Sequence, residues 1–158
     1  MSKPKFVYVT YIQSSLEKVF AALTESDWTR QYWIRHSTVC DWRIGSQWRQ
    51  EDCDDSSIVD ITGTVVEYSP PHKLVLTWAG HDNSKDLSTH SRVTITLDMI
   101  VDAVRLTVVH EELDEEGVKG VGRGWPVILA SMKTLLETGK PLDLTNCRKE
   151  AFMASLPR

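Results

Sequence analysis

A histidine and a carboxylate facing one apolar space can move protons between them, and this chain offers one candidate of each. In "RLTVVHEEL", His110 follows Leu106 and Val108 at alternate positions, so it shares their strand face. An imidazole on such a face can donate or accept, and would orient a carbonyl or phenol as a polar anchor. In "SIVDITGTVVEYS", Glu67 has the parity of Ile61, Gly63 and Val65. With that face inward, its carboxylate looks into the interior, paired with a base or carrying a raised pKa. The opposite phase, with Val66 and Tyr68 inward, fits the pattern nearly as well. His110 and Glu67 are therefore the candidate catalytic pair, although nothing in their spacing requires them to meet.

Other chemistries fail on spacing. "HEE" at His110 to Glu112 has no second histidine one helical turn away, so zincin chemistry is not expected. "GVKGVGRG" is glycine-rich but lacks the lysine-serine/threonine ending of a phosphate loop. "EDCDDSS" reads as a solvated hairpin turn. Cys40, Cys53 and Cys147 are odd in number and form no CxxC pair, which speaks for reduced thiols rather than a disulfide framework or zinc site. No serine or cysteine sits in a recognisable nucleophile context. No cofactor and no metal are expected.

The residues that must position such a site begin with a helix. In "GRGWPVILASMKTLLETGKPL", Trp125, Ile128, Leu129, Met132, Leu135 and Leu136 form one helical face. Pro126 suits the first turn, so the helix is expected to begin near Arg123 to Trp125, with "DEEGVKGVGRG" as a glycine-rich loop before it. Gly139 is the expected C-terminal cap and Pro141 prevents continuation. Ahead of this helix the chain reads as β, α, α and about six further strands. "KFVYVTYIQ" alternates, Ser14 or Ser15 caps "SLEKVFAALT", and "ESDWTRQYWIR" is a second short helix. Pro70-Pro71 separates the strands of one hairpin, and a turn near Val101-Asp102 those of another. Val93, Ile95, Leu97 and Met99 share a face, as do Leu74, Leu76 and Trp78. Antiparallel strands with helices gathered on one side give an α+β fold. A sheet of six or seven strands coils strongly, and one helix is about 10 Å wide. The helix is thus expected to plug the trough and leave room beside it.

The bulk composition sets the class. The chain has 158 residues, 41% of them apolar, enough for one domain with its own core. A net charge of −4 argues against a nucleic-acid surface. There is no apolar run of membrane-spanning length and no signal-peptide core, which points to a cytoplasmic protein.

The succession "YIQSSLEKVFAALTESDWTRQYW", "GTVVEYSPPHKLVLTW", "RLTVVHEEL" and "GWPVILASMKTLLETGK" resembles the activator-homologue family of the ninety-kilodalton heat-shock chaperone. That family lies in the START-like, birch-pollen-allergen-like superfamily, also called SRPBCC. The resemblance spans roughly Val7 to Lys140. It implies a helix-grip fold, a seven-stranded antiparallel sheet wrapped around the C-terminal helix with a cavity between them. Relatives bind lipids, sterols or polyketide-like molecules, or act as cyclases and aromatases. His110 matches the family's strand-end histidine. Eukaryotic activators carry a further N-terminal domain, and this chain is expected to start directly at the first grip strand without it. Residues 1–140 would be the helix-grip domain and 141–158 a tail, in which Ala151, Phe152 and Leu156 would anchor another short helix.

The first expectation is therefore a binding protein for a small hydrophobic or aromatic molecule. Trp33, Trp78, Leu97, Leu106, Val108, Trp125, Leu129 and Met132 are the candidate walls and His110 the polar anchor. Packing alone also accounts for each of the apolar residues. A cyclase- or hydrolase-type enzyme in the same cavity comes second, and a stress-related chaperone-interacting module third. A homodimer through the tail is a further expectation.

Overall fold

The computed structural model describes residues 3–144. The alternating N-terminal segment is strand β1 (Phe6–Ile12). Two short helices follow, α1 (Leu16–Thr24) and α2 (Ser26–Tyr32). Six strands come next: β2 (His36–Val39), β3 (Gln47–Asp52), β4 (Val59–Ser69), β5 (Lys73–Gly80), β6 (Ser91–Ile100) and β7 (Ala103–Glu111). Helix α3 (Glu115–Thr138) closes the fold. The strands make one antiparallel sheet in the order β1-β7-β6-β5-β4-β3-β2.

Each short helix is held by its ends. Ser15 caps α1, its Oγ accepting the Lys18 N–H at 3.2 Å. The Tyr32 hydroxyl donates to the Ala22 carbonyl at 2.7 Å, and Trp42 Nε1 donates to the Thr24 carbonyl at 2.9 Å. These bonds satisfy carbonyls at the end of α1 that its own ladder leaves open. Burial pushes the Tyr32 phenol well above its ordinary pKa.

Helix α3 starts eight residues ahead of the earliest expected position. Asp114 is its N-cap, the carboxylate accepting the Gly117 N–H at 2.7 Å, and Glu115 and Glu116 occupy the first turn beside the positive end of the helix dipole. "GVKGVGRG" is thus helical, not a loop, and Pro126 lies inside the helix rather than in its first turn. Capping and packing on the sheet outweigh the intrinsic penalty of four glycines, each about 1 kcal/mol relative to alanine. At the far end Gly139 adopts φ 88°, as expected of its cap position. The last turns of α3 are tied to β1: Lys133 Nζ donates to the Tyr11 carbonyl at 2.7 Å, and Glu137 accepts the Gln13 N–H at 2.8 Å.

The concave face of the sheet carries Ile12, Val93, Ile95, Leu97, Val104, Leu106 and Val108, which pack with Val19 and Phe20 of α1 and Ile128, Leu129, Met132 and Leu135 of α3. Met99 has the parity of Leu97 but lies past the edge of this core and is exposed. The β6–β7 turn holds Val101 at φ 57° with its side chain 89% exposed. A β-branched residue is strained there and gains no burial in return. Val101→Asn is expected to stabilise the fold by about 1 kcal/mol, read as a raised urea midpoint with an unchanged slope.

"EDCDDSS" is the β3–β4 turn. Asp52 Oδ1 accepts from the N–H groups of Asp54 and Asp55, and Asp55 accepts from Ser57. Its carboxylates are engaged in shaping the turn. No cluster able to hold a metal occurs among the described residues, and no described helix is long and apolar enough to cross a membrane. The expected tail helix and Cys147 lie outside the described residues.

Candidate functional site: a tryptophan-walled cavity

The trough is not hollow along its length. Its middle is packed, and the open space lies at one end, where the N-terminal half of α3 passes the α2–β2 connection and the ends of β4 and β5. The cavity there measures about 200 Å³. Trp33, Trp78 and Trp125 form its inner wall, Ile34, Ile61, Val121 and Ile128 its sides, and His36 and Asp60 its polar margin. Gly120 and Gly124 complete the lining. They stand one helical turn apart on α3, and a Cβ added at either would meet nothing within 4 Å. The helix therefore leaves space on this face where ordinary side chains would have filled it.

The three indoles lean on one another. Ring centroids are 5.7 Å apart for Trp33 and Trp125, 6.2 Å for Trp33 and Trp78, and 5.4 Å for Trp78 and Trp125. Edge and tilted contacts of this kind hold aromatic walls in place. Trp48 backs them at 5.2 Å from Trp78, its Nε1 donating to the Thr77 carbonyl at 2.8 Å.

His110 lies directly behind this wall and is fully buried. Trp125 Nε1–H can only donate, so at 3.1 Å it assigns His110 Nδ1 as acceptor and puts the ring proton on Nε2. Nε2–H then donates to Ser91 Oγ at 2.7 Å, whose own proton goes to the Trp78 carbonyl at 3.1 Å. Burial pulls the His110 pKa down to about 4, and a proton on Nδ1 would face the Trp125 N–H head-on. The imidazole is thus a neutral, fully bonded strut that orients Trp125, with neither nitrogen open to the cavity.

The other sequence candidates divide. Trp33, Trp78 and Trp125 come together on the cavity wall. Leu97, Leu106, Val108, Leu129 and Met132 belong to the solid core instead and do not line the cavity. Glu67 is not on the concave face. The β4–β5 register shifts between Val65 and Glu67, so Val65 and Tyr68 both pack inward while Glu67 turns out, 3.5 Å from Lys73 with 40% of its side chain exposed. A β-bulge breaks strict alternation, and neither phase read from the sequence survives it. His110 and Glu67 do not meet.

Ile34, His36, Asp60, Ile61, Gly120 and Gly124 line the cavity without having been singled out in the sequence. A usable signal existed only for the glycines, whose four-residue spacing on a helix marks one face. Among polar core residues, Gln50 was also missed. It alternates with Trp48 on β3, and that parity was the available clue.

A coiled antiparallel sheet closed over one long helix defines a helix-grip protein. The chain belongs to the family described as activator of Hsp90 ATPase homolog 1-like protein, whose model matches residues 13–137. Among solved structures, ChR145 from Cytophaga hutchinsonii is 25% identical, with a TM-score of 0.70 over 88% of this chain and 97% of that one. The Aha1 dimer from Colwellia psychrerythraea is 20% identical, with a TM-score of 0.72 over 87% and 98%. DynU16, a protein in the dynemicin biosynthetic locus, is 19% identical, with a TM-score of 0.70 over 87% of this chain and 48% of that one. No curated protein matches the chain in sequence.

Proposed function

We propose that this protein binds a small apolar or aromatic molecule in the end cavity. The observation that carries this reading is the pair Gly120 and Gly124, which hold open about 200 Å³ against a wall of three tryptophans. Each glycine weakens α3 by about 1 kcal/mol relative to alanine, and packing gives no reason for either. The space matches a fused two-ring body, and indole faces suit planar ligands. A relative encoded in a biosynthetic locus is in keeping with a small-molecule role.

Filling the cavity tests this. Gly124→Leu is expected to raise thermal stability, because a strong helix former replaces glycine in open space. Binding of naphthalene, followed by calorimetry, should fall at least tenfold. Unchanged naphthalene affinity in the stabilised variant would remove the cavity from the account.

The family assignment and the Aha1 dimer favour a second reading, a chaperone-binding module that also self-associates. On that reading Gly124→Leu leaves stimulation of the chaperone ATPase untouched, since a surface contact does not depend on the cavity. An enzyme using His110 and Glu67 as acid and base draws no support from the geometry, with one strutted behind the wall and the other on the opposite sheet face.

A further inference from the structure

Behind the tryptophan wall lies a second, smaller void of about 20 Å³, lined mostly by apolar side chains of α1, β5 and β6 and by tryptophans that include Trp33, Trp78 and Trp125, with Thr38 and Gln50 as its polar groups. A space of this size admits one water or one hydroxyl. Gln50 is 1% exposed. Its Nε2 donates to Thr38 Oγ1 at 2.7 Å, while its Oε1 is buried with no hydrogen-bond partner. A buried amide oxygen with no protein donor is an unusual feature of a folded interior. Because the Thr38 hydroxyl can donate as well as accept, the amide can rotate to present either C=O or NH2 to the void. Trp33, Trp78 and Trp125 line both the outer cavity and this void, and Trp33 stands on the α2–β2 connection, outside any regular element.

We infer that Gln50 is the polar anchor of the ligand site, and that the ligand is a planar aromatic molecule carrying a hydroxyl or carbonyl on its leading edge. This rests on the cavity reading above and adds the specificity determinant that His110 does not supply. The ring body occupies the outer cavity against Trp78 and Trp125. Trp33 turns aside, the two spaces merge, and the leading oxygen reaches the Gln50 amide. A hydroxyl donates to Oε1; a carbonyl accepts from Nε2 after the amide rotates. Among the residues lining the two spaces there is no lysine or arginine to pair with it, so a carboxylate in place of that oxygen is disfavoured.

The experiment compares naphthalene, 2-naphthol and 2-naphthoate by calorimetry on wild type and Gln50→Leu. Wild type should bind 2-naphthol in preference to 2-naphthoate. Gln50→Leu should keep its naphthalene affinity and lose the 2-naphthol preference over naphthalene by about tenfold. If naphthalene binds but that preference is the same in both proteins, the anchor assignment falls and the cavity reading stands. If naphthalene does not bind wild type at all, both fall. Should Gln50→Leu fail to fold, wild-type NMR decides: the Gln50 side-chain amide signals must shift with 2-naphthol and stay put with naphthalene. Equal shifts, or none, overturn the proposal.

Discussion

Gly63→Ala is expected to be the most damaging single-methyl change in the described chain. Gly63 pairs with Trp48 across β3 and β4, and a Cβ there would sit 1.9 Å from the Thr77 carbonyl oxygen and 2.6 Å from Trp48 Nε1. The obstacle is backbone, so no side-chain rotation relieves it. The same spot is where β4 and β5 depart from a plain ladder: the Thr64 N–H is taken by Thr77 Oγ1 at 2.8 Å, which leaves the Thr77 carbonyl for the Trp48 indole. Adding the methyl pushes two strands apart and breaks a buried indole hydrogen bond. Overpacking of this kind costs about 1–3 kcal/mol, and a buried donor left unpaired about 1–3 kcal/mol more. The sum is a large share of the ~5–15 kcal/mol that holds a domain folded. Equilibrium urea unfolding should show a loss of about 3 kcal/mol or more, or the variant should be recovered insoluble. A loss below about 1 kcal/mol would mean the close approach of β4 and β5 is not present in solution.

The second large effect is acid sensitivity carried by His110. Its folded-state pKa, about 4, lies below the ordinary 6.5 because the ring is buried and both nitrogens are committed. Above pH 6.5 the imidazole is neutral in both folded and unfolded chains, and the network contributes in full. Between 6.5 and 4 the unfolded chain takes up a proton that the folded one refuses, and the stabilisation drains away. At about 1.4 kcal/mol per pKa unit this amounts to about 3 kcal/mol. His110→Leu removes that dependence but strands the Trp125 N–H, at a cost of about 2–4 kcal/mol at pH 7. The stability gap between wild type and variant should therefore be widest at pH 7 and largely close by pH 4. Asp55, Asp86 and Glu137, held below the usual carboxylate range by hydrogen bonds, lose their contributions at lower pH in both proteins and cancel in the difference. A gap independent of pH would show that His110 titrates normally in the folded state. NMR of the imidazole nitrogens offers a separate check, with the proton expected on Nε2.

Much of the architecture was legible from residue pattern, because periodicity reports burial directly. The alternation in β6 and β7, the helical face from Trp125 to Leu136, the Ser15 cap and the Gly139 terminator are all local, and the folded chain keeps them. The first turns of α3 look like a loop in the sequence because glycine propensity is local too, whereas the sheet that holds those turns in place is not. Glu67 and Gln50 show the same limit from two sides. The bulge that turns Glu67 outward depends on how β4 meets β5, and nothing in β4 alone encodes it. Gln50 sits in a run of polar and charged residues, "QWRQED", whose composition hides the parity that buries it beside Trp48.

By itself, the order of amino acids determined the α+β class, the family, the strand and helix succession and the presence of an inward-facing His110. Those properties follow from short-range preferences and from which faces must leave water. Only the tertiary structure decided where the interior is solid and where it is open. It made His110 a strut, moved the lining from Leu129 and Met132 to Gly120 and Gly124, and placed a buried amide oxygen with no protein donor behind three indoles. Cavities are differences between the volumes of side chains brought together from distant elements, and a difference of that kind has no signature in any one stretch of chain.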